Sequence, residues 1–265
     1  MTEISAAMVK QLRDATSAGM MDCKRALVET DGDYDAAMKL LREKGMASAA
    51  KRADRETRDG VVLTRVEQGT AAAIVAVGCE TEPVSKNEEF QAFAAAVLDA
   101  VFEHGGEASP ELEQRRIDLC ARLGENIVIV GARRMTAGGD DTFSSYVHPP
   151  ANRIGVLLQA KGGTPELARQ LAMHISFSRP TYSSRSQVPE ELVASEREIL
   201  LKLPDVASKP VDVREKIVDG MLNKRFYGES VLGEQTWIHD GSLTVAKAIA
   251  EGGLEVVDYA WFSVG

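Results

Sequence analysis

The chain has 265 residues, 44% of them hydrophobic and 27% charged, with a formal net charge of −9. This length and apolar content suit one large domain with one or two small appendages, and the acidic balance argues against holding nucleic acid through a positive face. Cys23, Cys79 and Cys120 are odd in number and widely spaced, so they suggest neither a disulfide framework nor a metal knuckle and fit a reducing cytosol.

Glu3 near the start, with no apolar run after basic residues, gives no export signal, and the longest apolar stretch, Ala71 to Cys79, is about half a membrane span. The first element in chain order is a helix opening at Ser5 as N-cap, with Met8, Val9 and Leu12 on one stripe. Thr16 to Gly19 breaks it. A second helix over Met20 to Glu29 sets Met20, Cys23 and Leu27 on one face and Met21, Lys24 and Val28 roughly 100° round. Gly32 and Asp33 supply a stop and a new cap. A third helix turns Ala37, Leu40 and Leu41 inward and ends near Gly45, before a small, charged stretch, Met46 to Arg58, suited to a solvated helix or linker.

The composition changes at Gly60. Val61 to Val66 and Thr70 to Val77 read as a hairpin around Gly69. Phe90, Phe93, Ala94, Val97, Leu98 and Val101 then mark a helix capped by Asn87 that packs on the sheet. Leu112, Leu119, Cys120 and Leu123 mark a further helix stopped by Gly124, and Ile127 to Val130 returns as a strand ahead of Arg133 and Arg134, followed by a loop over Gly138 to Asp141. The pattern repeats as a strand over Arg153 to Gln159 and a helix with Thr164 as cap, Pro165 in first position and Leu167, Leu171 and Ile175 inward. Two strand and helix halves imply a duplicated core. Between Pro189 and Tyr227 two charged helices, with Leu192, Ile199 and Leu203 on one and Val213, Ile217 and Met221 on the other, predict a projecting antiparallel hairpin whose turn is bounded by Pro204 and Pro210. A helix over Thr244 to Glu251, stopped by Gly252 and Gly253, and a strand over Leu254 to Val264 close the chain.

No GxxxxGK[ST] or GxGxxG loop occurs to cradle phosphates. His104, His148, His174 and His239 show no metal-ligand spacing, and no GxSxG elbow is present. Glu196, Arg197 and Glu198 read as a solvated charged face, and His174, between Met173 and Ile175, as a packed or surface imidazole. The expectation is therefore a protein with no cofactor, metal or catalytic site of its own, acting by binding rather than as an enzyme.

The segment Leu12 to Leu27, LRDATSAGMMDCKRAL, resembles the N-terminal module of the elongation factor Ts family, and GDYDAAMKLLREKG (Gly32 to Gly45) continues the likeness. CETEPVSKNEEFQAFAAAVLDA (Cys79 to Ala100), LGENIVI (Leu123 to Ile129), YVHPPANRIGVLL (Tyr146 to Leu158), LARQLAMHI (Leu167 to Ile175), VREKIVDGMLNKRF (Val213 to Phe226) and the final WFSVG extend it over essentially the whole chain. The extra C-terminal helix of some longer members is expected to be missing. The resemblance implies an α+β protein with a ubiquitin-associated-like helical domain and linker over residues 1–55, core subdomains over 56–140 and 141–265, and a coiled-coil hairpin inserted at about 187–228. It also implies the function: binding elongation factor Tu carrying GDP in the cytoplasm and releasing the nucleotide by disturbing its magnesium and phosphate site, without direct contact with nucleic acid or membrane. The hairpin's role, in self-association or in contact with the GTPase, is left open.

By the same resemblance the N-terminal contact surface includes Lys10, Leu12, Met20, Met21 and Lys24. Adjacent helix residues cannot both face one small core, which favours contact for Met20 and Met21, whereas Leu12 fits either contact or core. The family's loop motif, Thr-Asp-Phe, corresponds to Thr81, Glu82 and Pro83, so the acid is longer by one methylene and a rigid ring without a donor N–H stands where the family has an aromatic wedge. Either Pro83 does a weaker version of the same work, or release depends more on Leu123, Gly124 and His148, which match other contact positions. Two rival readings are a helical-partner binding adaptor without exchange activity, and a hydrolase or transferase using His148 or His174, which no motif supports.

Overall fold

A computed structural model of the chain describes residues 4–16, 18–105 and 109–265. Helix α1 (Ala6–Thr16) opens where Ser5 Oγ accepts the Met8 N–H at 3.2 Å. Of the break expected after it, Ser17 lies outside the described residues. Helix α2 (Met20–Glu29) buries Cys23, Ala26 and Leu27. Gly32 then takes a φ of 86°, and the Asp33 carboxylate accepts the Ala36 N–H at 2.9 Å to start α3 (Tyr34–Arg52). Val9, Leu12, Cys23, Ala26, Leu27 and Ala37 form the core of this bundle.

Helix α3 does not end near Gly45 but continues to Arg52. A glycine inside a helix costs about 1 kcal/mol, and packing offsets it here: Arg42 Nε donates to Gln114 Oε1 at 2.8 Å and Ala49 is buried in the main core. The stretch from Met46 to Arg58 is thus helix as far as Arg52, where it docks the bundle on the body, and a non-helical linker beyond.

Strands β1 (Asp59–Glu67) and β2 (Ala71–Cys79) form the expected hairpin, with Gly69 at a φ of 74°. A short helix α4 (Glu82–Ser85) precedes α5 (Glu88–His104), which Asn87 caps, and α6 (Pro110–Leu123) ends at Gly124 with a φ of 76°. Strand β3 (Val128–Thr136) runs on through Arg133 and Arg134, which the sequence placed after it. Strand β4 (Thr142–Val147) carried no readable signal, because only Phe143 among its residues is buried. Strand β5 (Ile154–Gly162) and α7 (Pro165–Ser178), capped by Thr164, follow as expected.

The hairpin consists of α8 (Glu190–Leu201), a short α9 (Pro204–Ala207) and α10 (Val211–Met221), prolonged by a π-helical turn over Leu222–Tyr227. Its buried residues are Leu200, Val206, Val218 and Leu222. The stripes expected from the sequence are corrected by rotation: Leu192, Ile199 and Val213 are exposed, while Leu203, Ile217 and Met221 are half-buried against that core. The turn between the prolines folds as α9 and seats Val206 inside, and Arg197 pairs with Glu215 at 2.8 Å and with Asp219 on one side of the helix pair. Both contacts set which side of each helix faces the other. Helix α11 (Gly228–Ser230), α12 (Val245–Glu251) and strand β6 (Leu254–Ser263) complete the chain.

The strands form two antiparallel sheets with the orders β1-β2-β3 and β4-β5-β6, so each places its second strand in the middle. The sheets pack face to face through Val62, Ile74, Met135, Phe143 and Leu157, with α5 and α6 covering one outer face and α7 and α12 the other. This layering explains the apolar run of β2. Alternate residues of a strand point to opposite faces, and both faces are buried here: Ala73, Val75 and Val77 meet the helices while Ala72, Ile74 and Ala76 meet the second sheet. The molecule is thus a mixed α+β protein, and among its described residues no helix is long and apolar enough to cross a membrane.

Candidate partner-binding site

Strand β2 ends at Cys79, so the next backbone N–H groups have no ladder partner. The Glu125 carboxylate serves both: Oε2 accepts the N–H of Glu80 at 3.0 Å and of Thr81 at 3.1 Å, and Oε1 accepts the Thr81 hydroxyl at 2.5 Å. The brace is reciprocal, since Glu80 Oε1 accepts the Asn126 N–H at 2.7 Å. The buried Asn126 amide donates to the carbonyls of Ala53 at 3.2 Å and Arg55 at 2.9 Å, and Arg55 pairs with Glu80 at 3.4 Å. The turn after α6, the loop after β2 and the tether after α3 are therefore one hydrogen-bonded corner.

Thr81, Glu82 and Pro83 are all exposed on this corner. Pro83 stands in the first turn of α4, where a missing N–H costs nothing. The Glu82 carboxylate pairs with Lys86 Nζ at 2.6 Å, an exposed contact of small net worth that a partner cation or amide could replace. Gly124 is exposed beside the corner, and Leu123 is half-buried against the main core. The loop expected between strand and helix thus includes a helical turn.

His148 lies in the turn between β4 and β5. It is exposed, its Nδ1 is 2.9 Å from the Tyr146 hydroxyl, and its N–H donates to the Ile154 carbonyl. The far end of that turn reaches the corner through strand β1: Arg153 pairs with Asp59, Asp59 lies opposite Cys79 in the sheet, and the Cys79 thiol donates to the Thr81 carbonyl at 3.3 Å. Burial, reinforced by the nearby charges of Glu125 and Asp59, pushes that thiol up to about 12, so it stays protonated and unreactive. The corner and the His148 turn share one end of the core.

The bundle residues form a separate surface. Met20 and Met21 are 52% and 61% exposed, Lys24 is exposed one helical turn on from them, and Lys10 is exposed on α1. Neither methionine faces the bundle core. Leu12 is corrected: at 0% exposure it fills that core and offers no surface. Val28, at 57% exposed, extends the strip past Lys24, one helical turn further on. Sequence reasoning did not single it out, although it lay on the same face as Met21 and Lys24. Glu80, Glu125 and Asn126 were passed over too, because nothing local showed that a turn after α6 would meet a loop after β2.

His174 is fully buried. Its Nε2 lies 2.9 Å from Gln235 Oε1, its Nδ1 accepts the Ile238 N–H at 3.4 Å, and its ring stacks on Trp237. These partners select the neutral Nε2–H tautomer, and burial lowers the pKa below 6.5. It is a core residue.

A family model described as elongation factor TS matches residues 80–265. The elongation factor Ts of Enterobacter sp. (strain 638) is 41% identical over 271 residues, covering 100% of this chain and 93% of that protein. The chain belongs to the elongation factor Ts family. The elongation factors Ts of Idiomarina loihiensis and Methylococcus capsulatus are 39% and 38% identical, each over 99% of this chain and 91% and 92% of their own lengths. The family model begins at Glu80, so these whole-length relatives are what tie the N-terminal bundle and the first hairpin to elongation factor Ts. It includes all three parts of the core end described above: the Glu80 to Pro83 loop, the Glu125 turn and His148.

Proposed function

We propose that this protein is a guanine nucleotide exchange factor that binds elongation factor Tu carrying GDP and promotes release of the nucleotide. The observation that carries this reading is the likeness, over 99–100% of the chain, to proteins named elongation factor Ts. An exchange factor works by binding the empty GTPase more tightly than the loaded one, and linkage makes that preference reciprocal. A differential of a few kcal/mol corresponds to a hundredfold or more in nucleotide affinity, which separate contacts can supply together. In this reading the bundle, as a ubiquitin-associated-like domain over residues 1–55, contributes Lys10, Met20, Met21 and Lys24. The corner contributes Thr81, Glu82 and Pro83 with Leu123 and Gly124, and the second half of the core contributes His148. Glu82 and Pro83 stand outward on a braced loop, as insertion toward a magnesium and phosphate site requires. GTP, in excess in the cytoplasm, then displaces the factor. The two core halves, 56–140 and 141–265, are related subdomains, and the hairpin at about 187–228 is a coiled coil.

The test is release of a fluorescent GDP analogue from preloaded elongation factor Tu with the protein at substoichiometric amounts. Faster release in the presence of excess unlabelled nucleotide is expected. Binding in a pull-down with an unchanged release rate would replace this reading by that of an adaptor without exchange activity.

A further inference from the structure

We infer that Glu125 is a positioning residue for nucleotide release, acting through the Thr81 to Pro83 loop without touching the partner; this rests on the exchange reading above. Glu125 is half-buried and both its oxygens are occupied, Oε2 by two backbone N–H groups and Oε1 by the Thr81 hydroxyl. Hydrogen bonds to an ionised acceptor are about twice as strong as neutral ones, and three converge on one carboxylate. Thr81 stands at the N-cap of α4, where a threonine hydroxyl ordinarily turns to the helix's own N–H groups, but here it makes no such bond and holds Glu125 instead. That choice fixes the direction in which α4, and with it Glu82 and Pro83, leaves the sheet. Because Glu80 returns a bond to the Asn126 N–H, and the Asn126 side chain holds the carbonyls of Ala53 and Arg55, the same corner ties the loop to the tether of the N-terminal bundle. Contact made by the bundle and insertion of the loop are thereby referred to one rigid frame.

The prediction separates positioning from direct contact. Glu125→Ala removes both acceptor oxygens and the three hydrogen bonds they take, so the maximal rate of GDP release at saturating factor falls about tenfold or more, while the half-saturating concentration, set also by the bundle and the rest of the surface, changes little. Glu125→Gln keeps an oxygen for the backbone N–H groups and turns an amide toward the Thr81 hydroxyl, which can accept as well as donate. It therefore restores most of the rate. Amide hydrogen exchange at Glu80 and Thr81, measured on the protein alone, rises in Glu125→Ala and stays low in Glu125→Gln. Equal loss in both variants would show that the charge acts on the partner directly and would overturn the proposal, as would unchanged rate and unchanged amide exchange in Glu125→Ala. A fall in rate that tracks a lowered melting temperature, with no local rise at Glu80 and Thr81, would assign Glu125 to general stability. If the unaltered protein releases no GDP, the exchange reading itself fails and Glu125 has no release to position, whereas the amide readout still decides whether it holds the loop.

Discussion

Asp59 and Arg153, 94 residues apart in the chain, form an ion pair that joins the first strand of one sheet to the turn leading into the middle strand of the other. The Asp59 side chain is 8% exposed and that of Arg153 38%, so the carboxylate depends on this partner far more than the guanidinium does. Arg153→Ala leaves a buried carboxylate supported by little beyond the Gly60 N–H at 2.8 Å. A loss of about 1.5–3 kcal/mol is expected, since one end of the pair is partly solvated, and a shift in urea midpoint measures it. Asp59→Asn removes the charge with the shape kept and should cost less. Equal stability of Arg153→Ala and the unaltered protein would show the pair to be idle.

His174 makes stability depend on pH. Its pKa is lowered in the fold, chiefly by burial, with the Gln235 hydrogen bond opposing and the charge of His239 adding a smaller depression. A depressed value means that the unfolded chain binds the proton more readily, so this contribution is complete above pH 6.5 and is lost as pH falls below it toward the folded pKa. Urea titrations between pH 7.5 and about 5 should show a decline that shrinks in a His174→Asn variant. An identical slope in both would assign the decline to other groups.

Pro83 sits in an exposed first turn that makes no demand for its missing N–H. Pro83→Phe should therefore change stability by no more than about 0.5 kcal/mol while adding the aromatic ring that the resemblance leads one to expect at this position. Release of GDP is expected to be equal or faster. A sharp reduction in a variant that keeps its melting temperature would end the wedge analogy for this chain.

Leu12 and Met21 divide the bundle into core and surface. Leu12→Ala empties a site at 0% exposure and should cost about 2–5 kcal/mol, seen as loss of protection in the bundle's amides. Met21→Ala, at 61% exposed, should leave the bundle intact and weaken association with the GTPase. Unaltered affinity in Met21→Ala would remove that residue from the contact surface.

Much of this was legible from local signals. Asp33, Asn87, Ser5 and Thr164 were readable as helix caps because capping acts over three residues, and Gly69 and Gly124 as punctuation because only glycine enters positive φ cheaply. The run Thr70 to Val77 was readable as a strand. Its burial on both faces was not, since that depends on a second sheet built from residues beyond 140. The passage of α3 through Gly45, the rotation of the hairpin helices toward Leu200 and Val218, and the burial of Leu12 went unread or stayed open for the same reason. Each is settled by a neighbour distant in sequence.

By itself the sequence determined the order and kind of most elements and the whole-length family likeness. Only the tertiary structure decided what holds the loop of Glu82 and Pro83. Glu80, Glu125 and Asn126 are ordinary polar residues in two short segments, and they become a corner because the end of β2, the turn after α6 and the tether after α3 meet, bringing unpaired backbone N–H groups within reach of a carboxylate. Hydrogen bonds have a range of about 3 Å, so no pattern along the chain announces them until the fold has closed the distance.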